Sequence, residues 1–360
     1  MKPKGIKSIV LVIIALLLLT PLTFTAAAIN GSNRAEYVAH LELRNMTDGF
    51  HIDETKRIRD EILVRANNFM SVNGRGHIAL ADLEVPDRMI IVAYGFIIRP
   101  DGVPSQYMAV VSSEESEESI RRIHEEARKW LCAEKNVSRP IKRGLQEWPF
   151  TGITASVATL SSAQWVEVGL STNTFAHSPH GQYTNHSRVF RLHNDGTSVH
   201  NFYAVRQWLT TTPGIVAYGF HWHNYKTYPR QDWGWGQLGA ELIDRDPLGT
   251  ISGSRTIEVS LTGGSGGVTA TLGWSYTQPN VTTYDLSVLV PPVATWRQSF
   301  NTLVVQTTSG GMEPGSAVRT IQPVAGSGIR RLLQQRATVW YRTARYVTFV
   351  QGFEHNVSVK

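Results

Sequence analysis

The stretch 255–306 constrains the fold more than any other part of the chain, because apolar and polar residues alternate on both sides of a glycine-rich turn at 263–267. A period of two residues is typical of strands that bury one face and leave the other in water. Glycine accepts the positive φ angles of a tight turn without steric cost. The stretch therefore predicts a β-hairpin, with Trp274, Tyr276 and Trp296 as core anchors. The other alternating apolar residues are Ile257, Val259, Leu261, Val268, Ala270 and Leu272.

Similar short patterns, separated by Gly, Pro, Asn and Asp, fill the chain from residue 151 onward. Short strands at this spacing favour an all-β antiparallel sandwich or open barrel. We assign residues 151–360 to this β-sandwich domain. The predicted strands are 152–159, 165–171, 186–193, 198–211, 215–222, 256–262, 268–277, 282–290, 294–307 and 336–350.

The segment 35–135 has a different pattern and predicts a small α+β domain. A continuous apolar run at 89–98 is typical of a buried central strand, and the segment 53–70 has helical spacing. A second helix begins with the capping box Ser112-x-x-Glu115 and has Trp130 on its apolar face. Residues 136–150 are the predicted linker, so the fold class is an α+β N-terminal domain followed by a larger all-β domain.

The first 28 residues resemble a secretory signal peptide, with Lys2, Lys4 and Lys7 before an apolar run and Ala26-Ala27-Ala28 at the cleavage position. The chain is then secreted or on the cell surface; uncleaved, the same segment anchors it in a membrane. Six Asn-x-Ser/Thr triplets fit export, since such triplets accept glycans in secretory compartments. The candidate glycosylation sites are Asn45, Asn136, Asn185, Asn280 and Asn356, and the sixth triplet begins at Asn30, shortly after the leader.

Cysteine content excludes a protein stabilised by internal disulfides, and the charge distribution argues against a nucleic-acid-binding protein. With Cys132 as the single cysteine, no intramolecular disulfide can form, and its place beside Trp130 predicts a buried thiol. The formal net charge of +6 includes the three lysines of the leader, and the remaining excess is spread along the chain. Nucleic-acid binding requires a dense basic stripe, so we expect no nucleic-acid partner.

Histidines are concentrated between residues 177 and 223. His221 and His223 alternate with Trp222, which on a strand places both imidazoles on one face and permits a metal site. His186 is the predicted third ligand, with His177 and His180 as alternatives, and a divalent metal is the one cofactor this pattern admits. The alternative interpretation is that these histidines pair with aromatic and polar neighbours at a β surface.

The segment 220–239 is dense in aromatic residues and predicts a loop that binds a glycan, a protein partner or a membrane interface. The alternative is that its aromatic side chains form a lid over a sheet edge. The candidate binding residues are Trp222, Tyr225, Tyr228, Trp233 and Trp235.

No complete catalytic constellation is evident. The match of 234–239 to G-x-G-x-x-G does not follow a strand, and bulky Trp235 fills a place where the backbone must approach a phosphate. The match of 263–267 to a nucleophile elbow continues as a strand rather than a helix. No pair of acids is set apart for glycoside hydrolysis, so we assign no catalytic residue.

The opening stretch resembles the leukocidin/haemolysin class of β-barrel pore-forming toxins. The glycine-rich hairpin leads into Ser275-Tyr276-Thr277-Gln278-Pro279-Asn280, followed by Val293-Ala294-Thr295-Trp296 and Phe300, and 345–359 is similar to the closing strands of that family. The likeness covers about a third of the chain and not the helical segment 35–135. It implies a secreted β-sandwich that oligomerises and inserts a hairpin, here 256–277, into membranes.

Three functional hypotheses follow. The first is an exported, non-catalytic β-rich protein with a binding or structural role and a cell-surface glycan or protein as partner. The second is a pore-forming, leukocidin-like protein that acts on membranes. The third is a metal-dependent hydrolase that uses the histidine-rich segment.

Overall fold

The structure is a computed structural model that describes nine segments of the chain: 37–42, 79–84, 89–99, 103–112, 115–136, 153–154, 163–322, 330–350 and 354–359. It also describes residues 57, 61 and 64, which are helical and lie within the predicted helix 53–70. The rest of that helix, the leader 1–28 and most of the predicted linker 136–150 lie outside the described residues.

The described elements are mainly strands. The first ten are β1 (Tyr37–Glu42), β2 (Ala79–Glu84), β3 (Met89–Ile98), β4 (Pro104–Ser112), β5 (Ile153–Thr154), β6 (Gln164–His177), β7 (Gly181–His193), β8 (His200–Pro213), β9 (His223–Asp232) and β10 (Glu241–Asp246). The second ten are β11 (Thr250–Ser252), β12 (Arg255–Ser265), β13 (Val268–Gln278), β14 (Val281–Asp285), β15 (Val293–Phe300), β16 (Gly310–Met312), β17 (Gly315–Ile321), β18 (Arg330–Arg342), β19 (Val347–Val350) and β20 (Glu354–Val359). The helices are α1 (Glu117–Lys135), α2 (Gly214–Ala217) and α3 (Leu303–Gln306).

The strands form two large sheets, as expected of a β-sandwich. The first sheet has the order β1-β3-β4-β6-β7-β8-β17-β10, with β16 beside β8. The second has the order β11-β14-β15-β9-β18-β20-β2, with β19 beside β18. Side chains from both sheets share a core; for example, Leu209 and Phe175 of the first sheet lie in one cluster with Val339 and Tyr341 of the second.

The predicted hairpin is confirmed as β12–β13, which pairs over its full length from Arg255↔Gln278 to Ser265↔Val268. The strands run closer to the tip than the glycine pattern indicates, so the turn is Gly266-Gly267, with φ of 60° and 83°. The hairpin lies across the sandwich, where the Trp165 indole donates a hydrogen bond to Ala270 O at 3.0 Å. The predicted anchors Trp274, Tyr276 and Trp296 are all buried.

The N-terminal strands extend the sheets of the sandwich. β4 pairs in parallel with β6, and β2 pairs with β20. Both sheets therefore contain strands from either side of the predicted boundary at 136–150. Helix α1 packs on the opposite face of the first sheet, where the Trp130 ring sits over Gly95, so close that a Cβ there would lie 2.7 Å from it.

Three local predictions need correction. The cap of α1 is Ser116, which accepts from Ser119 N at 3.2 Å, rather than Ser112, because β4 continues to Ser112. Cys132 is exposed, since the buried face of α1 passes through Trp130 and Glu134 instead. Residues 215–222 form α2 and a turn instead of a strand, with Gly219 at φ 77°.

Among the described residues, no helix has the length and apolar character needed to cross a bilayer.

Candidate functional site

Several loops meet at one end of the sandwich, which we call the histidine end. It comprises the turn 177–181 between β6 and β7, α2 with the following residues 218–222, α3 with the following residues 307–309, and the turn 343–346 between β18 and β19. Arg342, which precedes the last of these turns, pairs with His223 at the beginning of β9. Backbone and side-chain hydrogen bonds connect them: Gly214 N donates to His180 O at 2.8 Å, and Thr212 Oγ1 lies 2.9 Å from Ser309 Oγ. The loops therefore form one continuous surface.

A pair of histidines lies at the centre of this end. His177 Nδ1 and His180 Nδ1 are 2.9 Å apart, and the His180 ring meets the edge of the Trp222 ring at a centroid distance of 4.4 Å. Burial, together with the neighbouring His177, lowers the pKa of His180 to about 4. His180 is thus neutral at neutral pH and can share a single proton with its partner.

The beginning of helix α1 stabilises the same loops. The Glu115 carboxylate accepts hydrogen bonds from the Tyr218 hydroxyl at 3.2 Å and from Ser178 N at 3.3 Å. Burial, followed by the Glu115 charge, raises the pKa of Tyr218, so this hydroxyl remains a donor. The carboxylate thereby joins the β6–β7 turn to the segment that follows α2.

Apolar side chains point outward from this ordered end. α3 is attached by hydrogen bonds from Asn224 Nδ2 to Thr308 O and from Arg342 Nη2 to Gln306 Oε1, each at 2.8 Å. Val305 of α3 packs into the core, whereas Leu303 and Val304 are turned to solvent, and Val304 is 71% exposed. The exposed apolar residues of the histidine end are Val216, Phe220, Leu303, Val304 and Tyr346.

Tyr225 and two cations lie where the histidine end meets the second sheet. The Lys226 ammonium is 4.6 Å and the Arg342 guanidinium 5.0 Å from the centre of the Tyr225 ring. Tyr225 is the extra residue of a bulge, since Lys226 pairs with Trp340 and Asn224 with Tyr341. A bulge re-aims a side chain, and here it places an aromatic ring between two positive charges.

The histidines proposed as metal ligands occupy separate environments. His186 lies within β7, where its Nδ1 is 2.7 Å from Thr172 Oγ1 and its ring contacts Trp208. Burial and nearby guanidinium groups hold the pKa of His186 well below its usual range. His221 is exposed in the turn before β9, and His223 begins that strand. Within the described segments, no group of three or more His, Cys, Asp or Glu side chains could hold a metal ion.

The five predicted aromatic binding residues are also separated, because 223–232 is strand β9 rather than part of a loop. Trp222 and Tyr225 lie at the histidine end, and Tyr228 lies on the outer face of the second sheet. Trp233 is wholly buried, and its indole donates to Ser316 Oγ at 2.8 Å, so the prediction that it contacts a partner is wrong. Trp235 lies beyond the far end of β9 with the Arg331 guanidinium 4.7 Å above its ring.

The predicted glycosylation sites differ in exposure. Asn136, at the end of α1, and Asn280, between β13 and β14, are exposed. Asn185 is buried and accepts a hydrogen bond from Gln207 Nε2 at 2.9 Å, so the structure leaves no room for a glycan there. Asn356 is in β20, paired on both sides, and Asn45 lies outside the described residues.

The hairpin β12–β13 is the second feature of functional interest. Each strand has eleven residues, and alternate side chains from Ile257 to Gly263 and from Ala270 to Gln278 are buried against the sandwich. Among the described residues, its one strand partner is the two-residue β5. Carboxylates of β10 bind the free edge of β12: Asp246 Oδ2 accepts from Ser260 N at 3.0 Å, and Asp244 Oδ2 accepts from Thr262 N at 2.8 Å.

The sequence did not reveal that α3 belongs to the histidine end. Leu303 and Val304 continue the apolar pattern of β15, so the sequence predicts that they belong to strand 294–307. The chain instead leaves the sheet at Asn301 and turns as a short helix. The polar run 307–309 directly after it is the one signal in the sequence for this departure.

No protein-family model matches the chain, and no curated protein matches it either. Several solved structures are similar to it over part of its length, and three of them are described here. A structure titled "Pore forming protein" is 8% identical, covers 58% of this chain and 91% of its own, and has a TM-score of 0.33. Clostridium perfringens delta-toxin is 12% identical, covers 59% of this chain and 91% of its own, and has a TM-score of 0.31. The Clostridium perfringens NetB toxin in its membrane-inserted form is 7% identical, covers 55% of this chain and 92% of its own, and has a TM-score of 0.28. The resemblance of this chain to pore-forming toxins is therefore weak and local.

Proposed function

We propose that the protein is an exported, non-catalytic β-sandwich that binds a membrane surface through the histidine end. The observation that carries this proposal is the exposure of apolar side chains from three separate elements, represented by Phe220, Leu303 and Tyr346, on one fixed surface. Contiguous exposed apolar patches mark sites of interaction with proteins or membranes.

The surroundings of the patch favour a membrane over a protein partner. Tyrosine and tryptophan are enriched at the level of lipid headgroups, and cations are attracted to lipid phosphates. Trp222, Tyr225, Lys226 and Arg342 border the apolar side chains in this way. The aliphatic groups would enter the acyl boundary while the border remains at headgroup depth.

The test is sedimentation with phosphatidylcholine vesicles, with and without phosphatidylserine. Replacing Leu303 and Val304 by serine removes two exposed apolar groups, and we expect the affinity for vesicles to fall on the order of tenfold or more. Val199→Ser is the matched control, since this exposed valine lies in the β7–β8 connection outside the histidine end. Absence of binding by the unaltered protein, or equal loss in the control, contradicts the proposal.

Pore formation is a second candidate, supported by the β12–β13 hairpin. A membrane-spanning strand requires about 9–11 residues of alternating character, and each strand of this hairpin has eleven. Dye release from the same vesicles distinguishes the two functions. Binding with release supports pore formation, whereas binding without release supports surface attachment alone.

A further inference from the structure

The outer face of the second sheet carries a concentration of basic and aromatic side chains that we call the basic face. On β9, the side chains of Thr227, Pro229 and Gln231 are buried, so the alternate residues point away from the core. The same alternation holds on β15 and β18. The outward residues on which the argument rests are Lys226, Tyr228, Arg230, Tyr284, Arg297 and Arg342.

Arg297 is the centre of this face. Its guanidinium carbon lies 4.1 Å from the centre of the Tyr284 ring, directly opposite in the β14–β15 register. The pairs Thr295↔Arg230 and Gln298↔Thr227 place Tyr228 across from Arg297 on the other side. Arg297 Nε is buried without a hydrogen-bond partner. The planar guanidinium of an arginine beside a tyrosine ring presents its outer N–H groups as the fork that matches a carboxylate or sulfate.

The basic face has more cations than acids. β15 and β18 contain no acidic residue, and on β9 the acid is Asp232, whose carboxylate lies 2.7 Å from Arg230. Arg230 also pairs in register with Arg336 of β18, which brings two positive side chains close together on one surface.

The composition of the basic face indicates the kind of partner. The outward positions on β15 are Thr295, Arg297 and Ser299, so two hydroxyls flank the arginine and this strand turns no aliphatic side chain outward. A bilayer would require apolar groups to enter it, and these lie at the histidine end instead. Tyrosine faces with interspersed hydroxyls suit sugar rings, which have apolar C–H faces and polar edges.

We propose that the basic face binds an anionic polysaccharide, with carboxylate or sulfate groups on Arg297 and Arg230 and sugar rings against Tyr284 and Tyr228. The four binding residues Arg297, Arg230, Tyr284 and Tyr228 are not part of the membrane-binding end, and the ligand class is different. Lys226 and Arg342 lie where the two surfaces meet. A protein attached to a membrane by the histidine end would keep this sheet face free for the polysaccharides of the cell surface.

The experiment measures binding of heparin and polygalacturonate by titration calorimetry, with neutral dextran as the uncharged probe. We expect the double variant Arg230→Gln/Arg297→Gln to bind both anionic probes at least about tenfold more weakly, because each arginine contributes charge-assisted hydrogen bonds. Arg319→Gln is the matched control: this cation is exposed on the first sheet, paired with Glu241, and its loss should change affinity less than about twofold.

Arg297→Lys keeps the charge but loses the planar fork, so we expect an intermediate loss, and this variant also serves if the double variant fails to fold. The double variant should still sediment with vesicles, which separates this proposal from the preceding one. The proposal is overturned if dextran binds as tightly as the anionic probes, if the unaltered protein binds neither anionic probe, if Arg319→Gln loses as much affinity as the double variant, or if single-stranded oligodeoxythymidine binds this face more tightly than heparin.

Discussion

Two hairpins that follow each other in the chain place their apolar residues in opposite environments. In β12–β13, Val259, Leu261 and Leu272 are buried, and the threonines and serines between them are turned outward. In the connection between β14 and β15, Val288, Leu289 and Val290 are exposed, Val290 to 87%. Both hairpins are ordered: the second is fixed by reciprocal backbone hydrogen bonds between Val288 and Val293, each of 2.8 Å.

The difference shows that spacing, and not apolar content, decides which residues are buried. Apolar residues at every second position form one face that a sheet can cover. The run 286–292 contains consecutive apolar residues and two prolines, so no single face collects them. The first hairpin should therefore be sensitive to substitution in its apolar positions, and the tip of the second should tolerate it.

The largest expected effect is that of Trp274→Ala in the buried hairpin. This side chain is buried, its indole donates to Glu313 O at 2.9 Å, and the Arg206 guanidinium lies 5.4 Å from its ring. Removing a buried tryptophan costs about 3–5 kcal/mol of unfolding free energy. The matched control Val290→Ala should change it by less than about 0.5 kcal/mol.

Urea unfolding followed by circular dichroism measures both variants. A loss at Val290 as large as that at Trp274 would contradict the comparison, because it would mean that the tip of the second hairpin is covered.

The sequence predicts the hairpin well because its buried positions are apolar, but it fails where buried positions are polar. On β9 the buried side chains include Asn224, Thr227 and Gln231, which carry no hydrophobic period. Two of these side chains form hydrogen bonds across the core: Thr211 Oγ1 donates to Asn224 Oδ1 at 3.0 Å, and Ser316 Oγ donates to Gln231 Oε1 at 2.5 Å. The sequence therefore predicts a loop here, because only the fold provides these hydrogen bonds.

The sequence predicts only part of the candidate site, because contacts between distant segments also depend on the fold. Composition alone identified Trp222, Tyr225 and the histidines as unusual. It did not reveal that His180 would contact both His177 and Trp222, because the contact with Trp222 depends on how the β6–β7 turn and α2 pack together. Nor did composition reveal the basic face, because its residues come from four different strands, β9, β14, β15 and β18.

A smaller effect is expected at the turn of the buried hairpin. Gly267 has a φ of 83°, which L-amino acids with a side chain rarely adopt, although a Cβ there would meet no neighbouring atom within 4 Å. Gly267→Ala should therefore lower the unfolding free energy by about 1 kcal/mol through backbone strain alone. Thr269→Ala, on the exposed face of β13, is the control and should cost less than about 0.5 kcal/mol. Equal effects in thermal unfolding would mean that the turn conformation is not what limits this hairpin.

The smallest expected effect concerns Asp246, whose carboxylate binds the edge of the buried hairpin. Burial raises the pKa of Asp246, and the neighbouring Asp244 adds to this, while the hydrogen bond from Ser260 N opposes it. The folded protein therefore retains this proton at a higher pH than the unfolded chain, in which the pKa is about 3.9. Stability contributed by this group is present in acid and falls as the pH rises through the folded-state pKa.

Asp246→Asn has no proton to lose at this position and keeps an oxygen for Ser260 N, so its stability relative to the unaltered protein should increase with pH over this window. Urea unfolding of both proteins at a series of pH values measures the difference, and a relative stability that decreases with pH would show that the carboxylate charge favours the docked hairpin.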